Sequence, residues 1–85
     1  MPGFDLVKLS TLKKGDSCYI NSFTNEDLQL KLMEMGCLPG EQLVIERLAP
    51  LGDPMAIQVS GYTLSIRLDE AATILVTISK PVQTI

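Results

Sequence analysis

The chain has 85 residues, of which 46% are hydrophobic, 20% are charged and none is histidine, and its formal net charge is −3. This length fits one small domain over residues 1–85, and the high apolar content excludes a disordered chain. The negative charge disfavours nucleic acid as a partner, because proteins that bind phosphate backbones are normally basic.

The first predicted strand covers residues 17–22. Cys18 and Ile20 alternate there with Tyr19 and Asn21, and a period of two is typical of a strand with one buried face. We therefore expect the side chains of Cys18 and Ile20 to face the core.

One helix is predicted over residues 25–35. Thr24 is a suitable N-cap, because its hydroxyl can accept a hydrogen bond from a backbone N–H of the first turn. At about 100° per residue, Leu28, Leu32 and Met35 fall on one stripe of the helix surface. This stripe is predicted to face the core.

The helix is predicted to end at Gly36, because glycine readily adopts the left-handed conformation that ends many helices. Cys37 then takes the position whose side chain commonly packs back on the last helical turn. It is interpreted as a small hydrophobic residue. Pro39 and Gly40 follow at the central positions of a predicted type II turn.

The rest of the chain is predicted to form short strands over residues 41–48, 55–60, 62–68 and 73–79. A stiff loop over residues 50–54 joins two of them, residues 69–72 form a turn or one helical turn, and residues 80–85 form a loosely held tail. Five short strands with one inserted helix predict a mainly β fold, a small closed or nearly closed barrel. Closure would remove edges that are prone to aggregate.

The apolar segments of the chain bear on its location. The most apolar run, residues 71–78, is far shorter than the ~20 residues that a transmembrane helix requires. The first ten residues lack the basic region and the apolar stretch of a signal peptide. We therefore expect a cytoplasmic protein with reduced thiols and no direct membrane insertion.

Cys18 and Cys37 are the strongest candidates for metal chemistry. They form no Cys-x-x-Cys pair, and without histidine a zinc site would need carboxylates or a second molecule. We predict two buried thiols with no disulfide, metal or cofactor. The alternative is a metal-sensing or metal-delivering domain that binds Fe²⁺ or Zn²⁺ through both cysteines and nearby carboxylates.

Catalysis is not indicated. No histidine is present to activate a serine, and no Gly-x-Ser-x-Gly elbow or phosphate-cradling glycine loop occurs. We predict no catalytic residues and conclude that the chain is not an enzyme.

The apolar residues of the helix exceed what one buried stripe needs. Leu30 and Met33 point away from that stripe and, with apolar and basic residues on neighbouring segments, can form a partner-binding surface. The predicted set is Leu30, Lys31, Met33, Leu38, Leu51 and Arg67. In the alternative interpretation, the N-terminal Phe4, Leu6, Val7 and Leu9 fold over the helix and cover this side.

Four motifs, in order, resemble the FeoA family, the small cytosolic proteins of bacterial ferrous-iron transport. They are Leu9, Leu12 and Gly15, the helix exit KLMEMGCLPG at residues 31–40, the loop APLGDP at residues 49–54, and residues 64–67 followed by Glu70 and Ala71. Lys31 stands where that pattern usually has arginine, which loses a planar fork able to bind a carboxylate through two hydrogen bonds. Cys37 replaces a residue that is commonly apolar.

The resemblance implies an SH3-like β-barrel with an inserted helix. It also implies an accessory or regulatory role beside the membrane ferrous-iron permease FeoB, whose cytosolic part carries a GTP-binding domain. We expect the chain to be a monomer that binds FeoB and is recruited by it to the inner face of the membrane.

Overall fold

The computed structural model describes residues 6–78 of the chain. Within that range the strands are β1 Val7–Lys8, β2 Ser17–Phe23, β3 Gln42–Leu48, β4 Met55–Val59, β5 Tyr62–Ile66 and β6 Ile74–Thr77, and the α-helices are α1 Glu26–Glu34 and α2 Leu68–Ala71. The strands pair antiparallel in one sheet, in the order β1-β6-β2-β3-β4-β5. The predicted mainly β class with one inserted helix between the first long strand and the next is confirmed.

The sheet is not closed into a barrel. Among residues 6–78, β1 and β5 lie at its two ends and do not pair with each other. Instead, α2 at the exit of β5 contacts the 3₁₀ turn Leu9–Thr11 that follows β1. The expectation of a closed or nearly closed barrel of about five strands is therefore corrected to an open sheet of six.

The sixth strand, β1, was not predicted. Val7 pairs with Val76 and Lys8 pairs with Leu75 at the edge of the sheet. Two residues are too few to display a period of two, so the sequence pattern carries no signal for this strand. Phe4 and the predicted tail over residues 80–85 lie outside the described residues.

The core is formed by alternating positions of β2 to β6 together with residues of the helices and turns. Its fully buried members are Leu9, Cys18, Ile20, Leu32, Cys37, Leu43, Ile45, Met55, Ile57, Val59, Ile66, Ala71, Ile74 and Val76. Leu28 and Met35 pack against it beside Leu32, which confirms the predicted core stripe of the helix. Tyr62 is 65% exposed and begins the strand at the free end of the sheet.

Helix α1 begins one residue later than predicted. The N-cap is Asn25, whose Oδ1 accepts a hydrogen bond from the backbone N–H of Leu28 at 3.0 Å. Thr24 donates its own backbone N–H to the carbonyl of Thr73 at 2.8 Å. Thr24 is therefore still bonded to the segment that leads into β6 and does not cap the helix.

The predicted end of the helix is confirmed. Gly36 has a φ of +113°, and its N–H donates to the carbonyl of Met33 while the N–H of Cys37 donates to that of Leu32, both at 3.0 Å. These two bonds define the Schellman motif, which satisfies carbonyls of the last turn. The type II turn follows, with a bond of 3.0 Å from the Glu41 N–H to the Leu38 carbonyl.

No helix among the described residues is long and apolar enough to cross a membrane.

Candidate partner-binding surface

Leu30 lies on the outward side of α1 and is 65% exposed. Met33, one turn further along, is half-buried, and its Sδ accepts a hydrogen bond from the Gln29 side chain at 3.7 Å. The described part of the N-terminal segment does not cover Leu30, because Val7 and Lys8 pair with β6 and Leu9 enters the core. The described residues therefore leave an apolar side chain uncovered on this face.

Acidic side chains surround Leu30. Glu26, Asp27 and Glu34 are all exposed and lie four residues before, three residues before and four residues after Leu30. Residues at these spacings are neighbours on a helix surface. The outward face of α1 thus carries an apolar residue surrounded by carboxylates. We call this surface the Leu30 face and define it as Glu26, Asp27, Leu30, Met33 and Glu34.

Lys31 connects α1 with α2. Its Nζ lies 2.8 Å from Oε2 of Glu70, a residue 39 positions later in the chain. The Lys31 side chain is 58% exposed, whereas that of Glu70 is only 14% exposed. The hydrogen bond from Lys31 is the main cause that lowers the pKa of Glu70, and a hydrogen bond from the Arg67 backbone adds to it against the opposing effect of burial.

Two carboxylates, one from α2 itself and one from a distant loop, fix the start of α2. Glu70 accepts a hydrogen bond at Oε1 from the Arg67 N–H at 3.2 Å, and Asp53 accepts one at Oδ1 from the Leu68 N–H at 3.0 Å. These carboxylates satisfy N–H groups that the first turn of a helix leaves without partners. A shallow recess of about 300 Å³ beside them is lined by Asp53, Pro54 and Arg67.

Leu51 projects from the loop between β3 and β4 and is 95% exposed. The loop is closed by a hydrogen bond from the Ala49 N–H to the Pro54 carbonyl at 3.0 Å and by one from the Gly52 N–H to the Ala49 carbonyl at 2.7 Å. The bond of Asp53 to α2 attaches this loop to the helix. Leu51 is therefore an apolar side chain on a braced loop.

Leu38 lies in the turn after α1 and is 41% exposed. Ser60, in the turn between β4 and β5, donates its hydroxyl towards the Gly36 carbonyl at 3.3 Å and Oε1 of Glu41 at 3.2 Å. Within residues 6–78, no hydrogen bond or ion pair connects Leu38 to the other five predicted residues. The predicted residues thus fall into three groups. Leu30 and Met33 lie on the outward side of α1, and Leu38 lies at the helix exit. Lys31, Leu51 and Arg67 belong to three segments that are joined at α2, and we call them the α2 group.

Comparison with known proteins gives the same assignment as the motifs. The model of the FeoA domain family matches residues 7–78, which is most of the chain. The chain belongs to the FeoA family.

Among its relatives, a Fe(2+) transport protein A/Fe(2+) transporter FeoB fusion protein of Porphyromonas gingivalis is 30% identical over 69 residues. The match covers 80% of this chain but only 8% of that protein, so the FeoA chain corresponds to a small part of the fusion.

Two solved structures show the fold that FeoA proteins share. The FeoA-like protein of Clostridium acetobutylicum has a TM-score of 0.83 and 30% identity, covering 96% of this chain and 98% of its own. The FeoA of Stenotrophomonas maltophilia, solved in complex with zinc and described as a prokaryotic SH3 domain protein, has a TM-score of 0.72 and 26% identity, covering 85% and 91%. The small SH3-like fold is therefore confirmed for this chain.

The two thiols of this FeoA chain are enclosed in its core. Cys18 and Cys37 are both free and both 0% exposed. Burial, with a further contribution from the charge of Asp16, raises the pKa of Cys18 to about 12, and burial raises the pKa of Cys37 to about 11. Because metals bind the thiolate, Fe²⁺ or Zn²⁺ would have to displace the protons of two buried thiols. Among the described residues, no group of three or more Cys, Asp or Glu is placed to hold a metal ion.

Sequence reasoning missed Glu70 and Asp53 as residues that organise the surface. Both were interpreted only as turn residues. One signal was present: the FeoA motif usually has arginine at the position of Lys31, and an arginine there implies a carboxylate within reach. Glu70 is that carboxylate in the structure. Asp53 had no comparable signal, because its partner is a backbone N–H.

Proposed function

We propose that this FeoA chain is a non-catalytic accessory protein of ferrous-iron transport that acts in the cytoplasm by binding the transporter FeoB. The supporting observation is the fusion relative, which joins a FeoA region to FeoB in one polypeptide. A fusion holds two modules at high effective concentration without a strong interface. Association outside a fusion requires a binding surface on the FeoA domain.

The Leu30 face is the surface that we propose for this interaction. An exposed leucine next to a half-buried methionine can enter an apolar pocket of a partner. The exposed carboxylates around it favour a partner surface on which basic residues rim that pocket, because complementary charges guide association and fix its orientation. The proposed partner of the Leu30 face is therefore an apolar pocket of FeoB that is rimmed by basic residues.

The α2 group supports the same surface from one side. Lys31 belongs to α1, and its partly exposed ion pair with Glu70 links the helix to α2. A surface whose elements are fixed before binding loses less conformational entropy when the complex forms. Leu51, on the loop braced by Asp53, provides a second exposed apolar contact for FeoB. Arg67, which lines the recess with Asp53 and Pro54, and Leu38, at the helix exit, are proposed as further contacts.

Substitution of Leu30 tests the proposed surface. Leu30→Glu places a fourth carboxylate on an exposed position, so the fold should be retained while FeoB binding falls at least about tenfold, as expected for an apolar contact at the centre of an interface. Ile78→Glu is the matched control, because Ile78 is also an exposed aliphatic residue, at 54%, and lies outside the proposed set. Binding to the soluble and membrane portions of FeoB is measured separately, together with ferrous-iron uptake by cells.

The result for the two variants decides between surfaces. Loss of binding and uptake for Leu30→Glu, with Ile78→Glu unaffected, supports the Leu30 face. Full binding by Leu30→Glu would show that FeoB is contacted elsewhere. Absence of binding by the unmodified chain to either portion would contradict the proposed function itself.

The acidic rim gives an independent test. Reversal of Glu26 and Glu34 to lysine should slow association with FeoB and weaken its dependence on salt, because surface charges act mainly on the association rate. Reversal of Glu46, an exposed carboxylate on β3, is the control and should leave the rate unchanged. Faster association after reversal of the rim would mean that the partner surface is acidic.

A second candidate function is metal delivery, and the zinc complex of the S. maltophilia FeoA supports it. In this chain the burial of Cys18 and Cys37 opposes it. Anaerobic titration of the reduced protein with Fe²⁺ and with Zn²⁺ separates the two functions. Stoichiometric binding that is lost in Cys18→Ala or Cys37→Ala would favour metal delivery, whereas absence of binding would remove that candidate.

A further inference from the structure

Met33 is a methionine that the core does not enclose. The chain has four methionines, of which Met1 lies outside the described residues. Met55 on β4 is 0% exposed, and Met35 packs against the core from the end of α1. Met33 is half-buried on the outward side of α1 and belongs neither to the core nor to the hydrophobic residues packed against it. A chemical change of its side chain therefore leaves the core packing untouched.

The side chain of Gln29 contacts the sulfur of Met33. Its Nε2 donates a hydrogen bond to Sδ at 3.7 Å, and the two residues are four positions apart, as neighbours on a helix surface are. A thioether sulfur is only a weak acceptor. The amide is thus held beside an atom that bonds it poorly, and a stronger acceptor in the same place would bond it better.

Hydrogen peroxide converts a thioether into such an acceptor. A lone pair of Sδ attacks one peroxide oxygen, the O–O bond breaks, and the proton on the transferred oxygen goes to the departing hydroxide, which leaves as water. The sulfur loses the two electrons that the peroxide gains, so no further reactant is needed. The product, methionine sulfoxide, is polar, whereas the original side chain is apolar.

We propose that Met33 is an oxidation site for hydrogen peroxide and that its sulfoxide switches off binding by the Leu30 face. Gln29 then donates its hydrogen bond to the sulfoxide oxygen, in the epimer that directs this oxygen towards the amide. Selective oxidation at Met33 rests on the position of its side chain alone. Its effect on FeoB rests, in addition, on the function proposed above.

The Leu30 face depends on apolar contact, which the sulfoxide removes. Met33 lies three positions after Leu30, so the two side chains are neighbours on the helix and meet the same partner pocket. The single bond from Gln29 does not replace the water that a sulfoxide oxygen binds on a free surface. Burial of this oxygen against an apolar pocket is therefore unfavourable.

Retention of the fold distinguishes a switch from oxidative damage. Met33 contributes no side chain to the core, and its carbonyl keeps the hydrogen bond from the Gly36 N–H at 3.0 Å because the oxidation changes only the side chain. At Met55 an added oxygen would enter a fully buried and closely packed site. Peroxide reaches such a site only when the chain opens, so Met33 reacts before Met55.

The first measurement is the rate of oxidation at each methionine of the full chain, followed by peptide mass spectrometry in hydrogen peroxide. Met33 should oxidise at least about tenfold faster than Met55, and faster than Met35. Circular dichroism should stay unchanged, and the side-chain amide signals of Gln29 should shift in the NMR spectrum. Earlier oxidation of Met35 or Met55, unfolding on oxidation of Met33 alone, or an unmoved Gln29 amide would overturn the proposed site.

The second measurement is FeoB binding before and after peroxide. Oxidation should weaken binding of the unmodified chain about tenfold, and methionine sulfoxide reductases with a dithiol should restore it. Met33→Leu removes the thioether at similar volume, so peroxide should not change the affinity of this variant, whereas the control Met35→Leu should still respond.

The outcomes separate the switch from the proposed function. Equal binding by the reduced and oxidised chains, or an equal loss in Met33→Leu, would overturn the switch. Absence of binding by the reduced chain would contradict the proposed function and the switch together, and the oxidation site would then be decided by the first measurement.

Discussion

The thiols of Cys18 and Cys37 should be almost inert towards iodoacetamide in the folded protein. A cysteine with a pKa of about 8.5 is roughly one quarter thiolate at pH 8. The structure raises the pKa of Cys37 to about 11 and that of Cys18 to about 12. The thiolate fractions then fall to about one in 1,000 and about one in 10,000. Because the thiolate is the nucleophile, labelling should slow about 200-fold and about 2,000-fold before restricted access is counted.

Timed alkylation followed by mass spectrometry measures this effect. The same chain in concentrated urea provides the unfolded rate, and Cys18→Ala and Cys37→Ala each leave one thiol to be followed. The folded rate should keep rising with pH well above 8.5, since neither thiol is then mostly ionised. Labelling of either folded thiol within tenfold of its unfolded rate would refute its assignment as a packing residue and revive the metal and redox alternatives.

Four further results are expected. Gly36→Ala should lower the free energy of unfolding in urea by about 1–2 kcal/mol, because a φ of +113° strains any residue other than glycine. The added Cβ would meet Ser60 atoms only at 4.0 Å, so a larger loss would indicate an unforeseen clash. Leu32→Ala should cost about 2–5 kcal/mol as a fully buried truncation, and a loss below 1 kcal/mol would place Leu32 outside the core. Lys31→Met should cost no more than about 1 kcal/mol, since its partly exposed ion pair is weak, and should raise the pKa of Glu70 in a carboxyl NMR titration; an unchanged value would exclude the ion pair in solution. Because the pKa of Glu70 is lower in the folded than in the unfolded chain, Glu70 adds stability at pH values above its unfolded pKa, and this stability is lost as pH falls. Glu70→Gln should therefore flatten the acid limb of the curve of unfolding free energy against pH.

The thiols contribute to the loss of stability at alkaline pH. Their folded pKa values lie above the unfolded value, so the folded state holds protons that the unfolded state has released. Their contribution is complete below about pH 8.5 and declines as pH rises towards about 11. The Cys37→Ala variant should show a shallower alkaline decline than the unmodified chain, and an equal decline would contradict a buried neutral thiol.

The helix and its exit could be predicted from the sequence because their determinants are local. The core stripe of Leu28, Leu32 and Met35 follows from helical periodicity. The Schellman end follows from one glycine, and the next turn follows from Pro39 and Gly40. In each case the interacting groups are within a few residues of one another, so their spacing alone determines whether they can meet.

The features that escaped prediction depend on contacts distant in sequence. Thr24 lost the N-cap position because its N–H donates to Thr73, 49 residues away. The pairing of Lys31 with Glu70 depends on how α1 lies beside α2, and no periodicity describes that arrangement. The failure of the sheet to close has the same origin, because alternation in strands identifies buried faces but does not determine whether two end strands reach each other.

Helix α2 shows how these distant contacts create the proposed surface. Four residues are too few to form a helix without support, since nucleation fixes several dihedral angles for one hydrogen bond. The support comes from outside the helix: Asp53 caps one N–H from the β3–β4 loop, and Lys31 binds Glu70 from α1. Each contact that stabilises α2 must therefore also restrain the segment that supplies it. The loop bearing Leu51 and the helix bearing Leu30 are consequently connected through one shared element, which links two apolar contacts that lie 21 positions apart in the sequence.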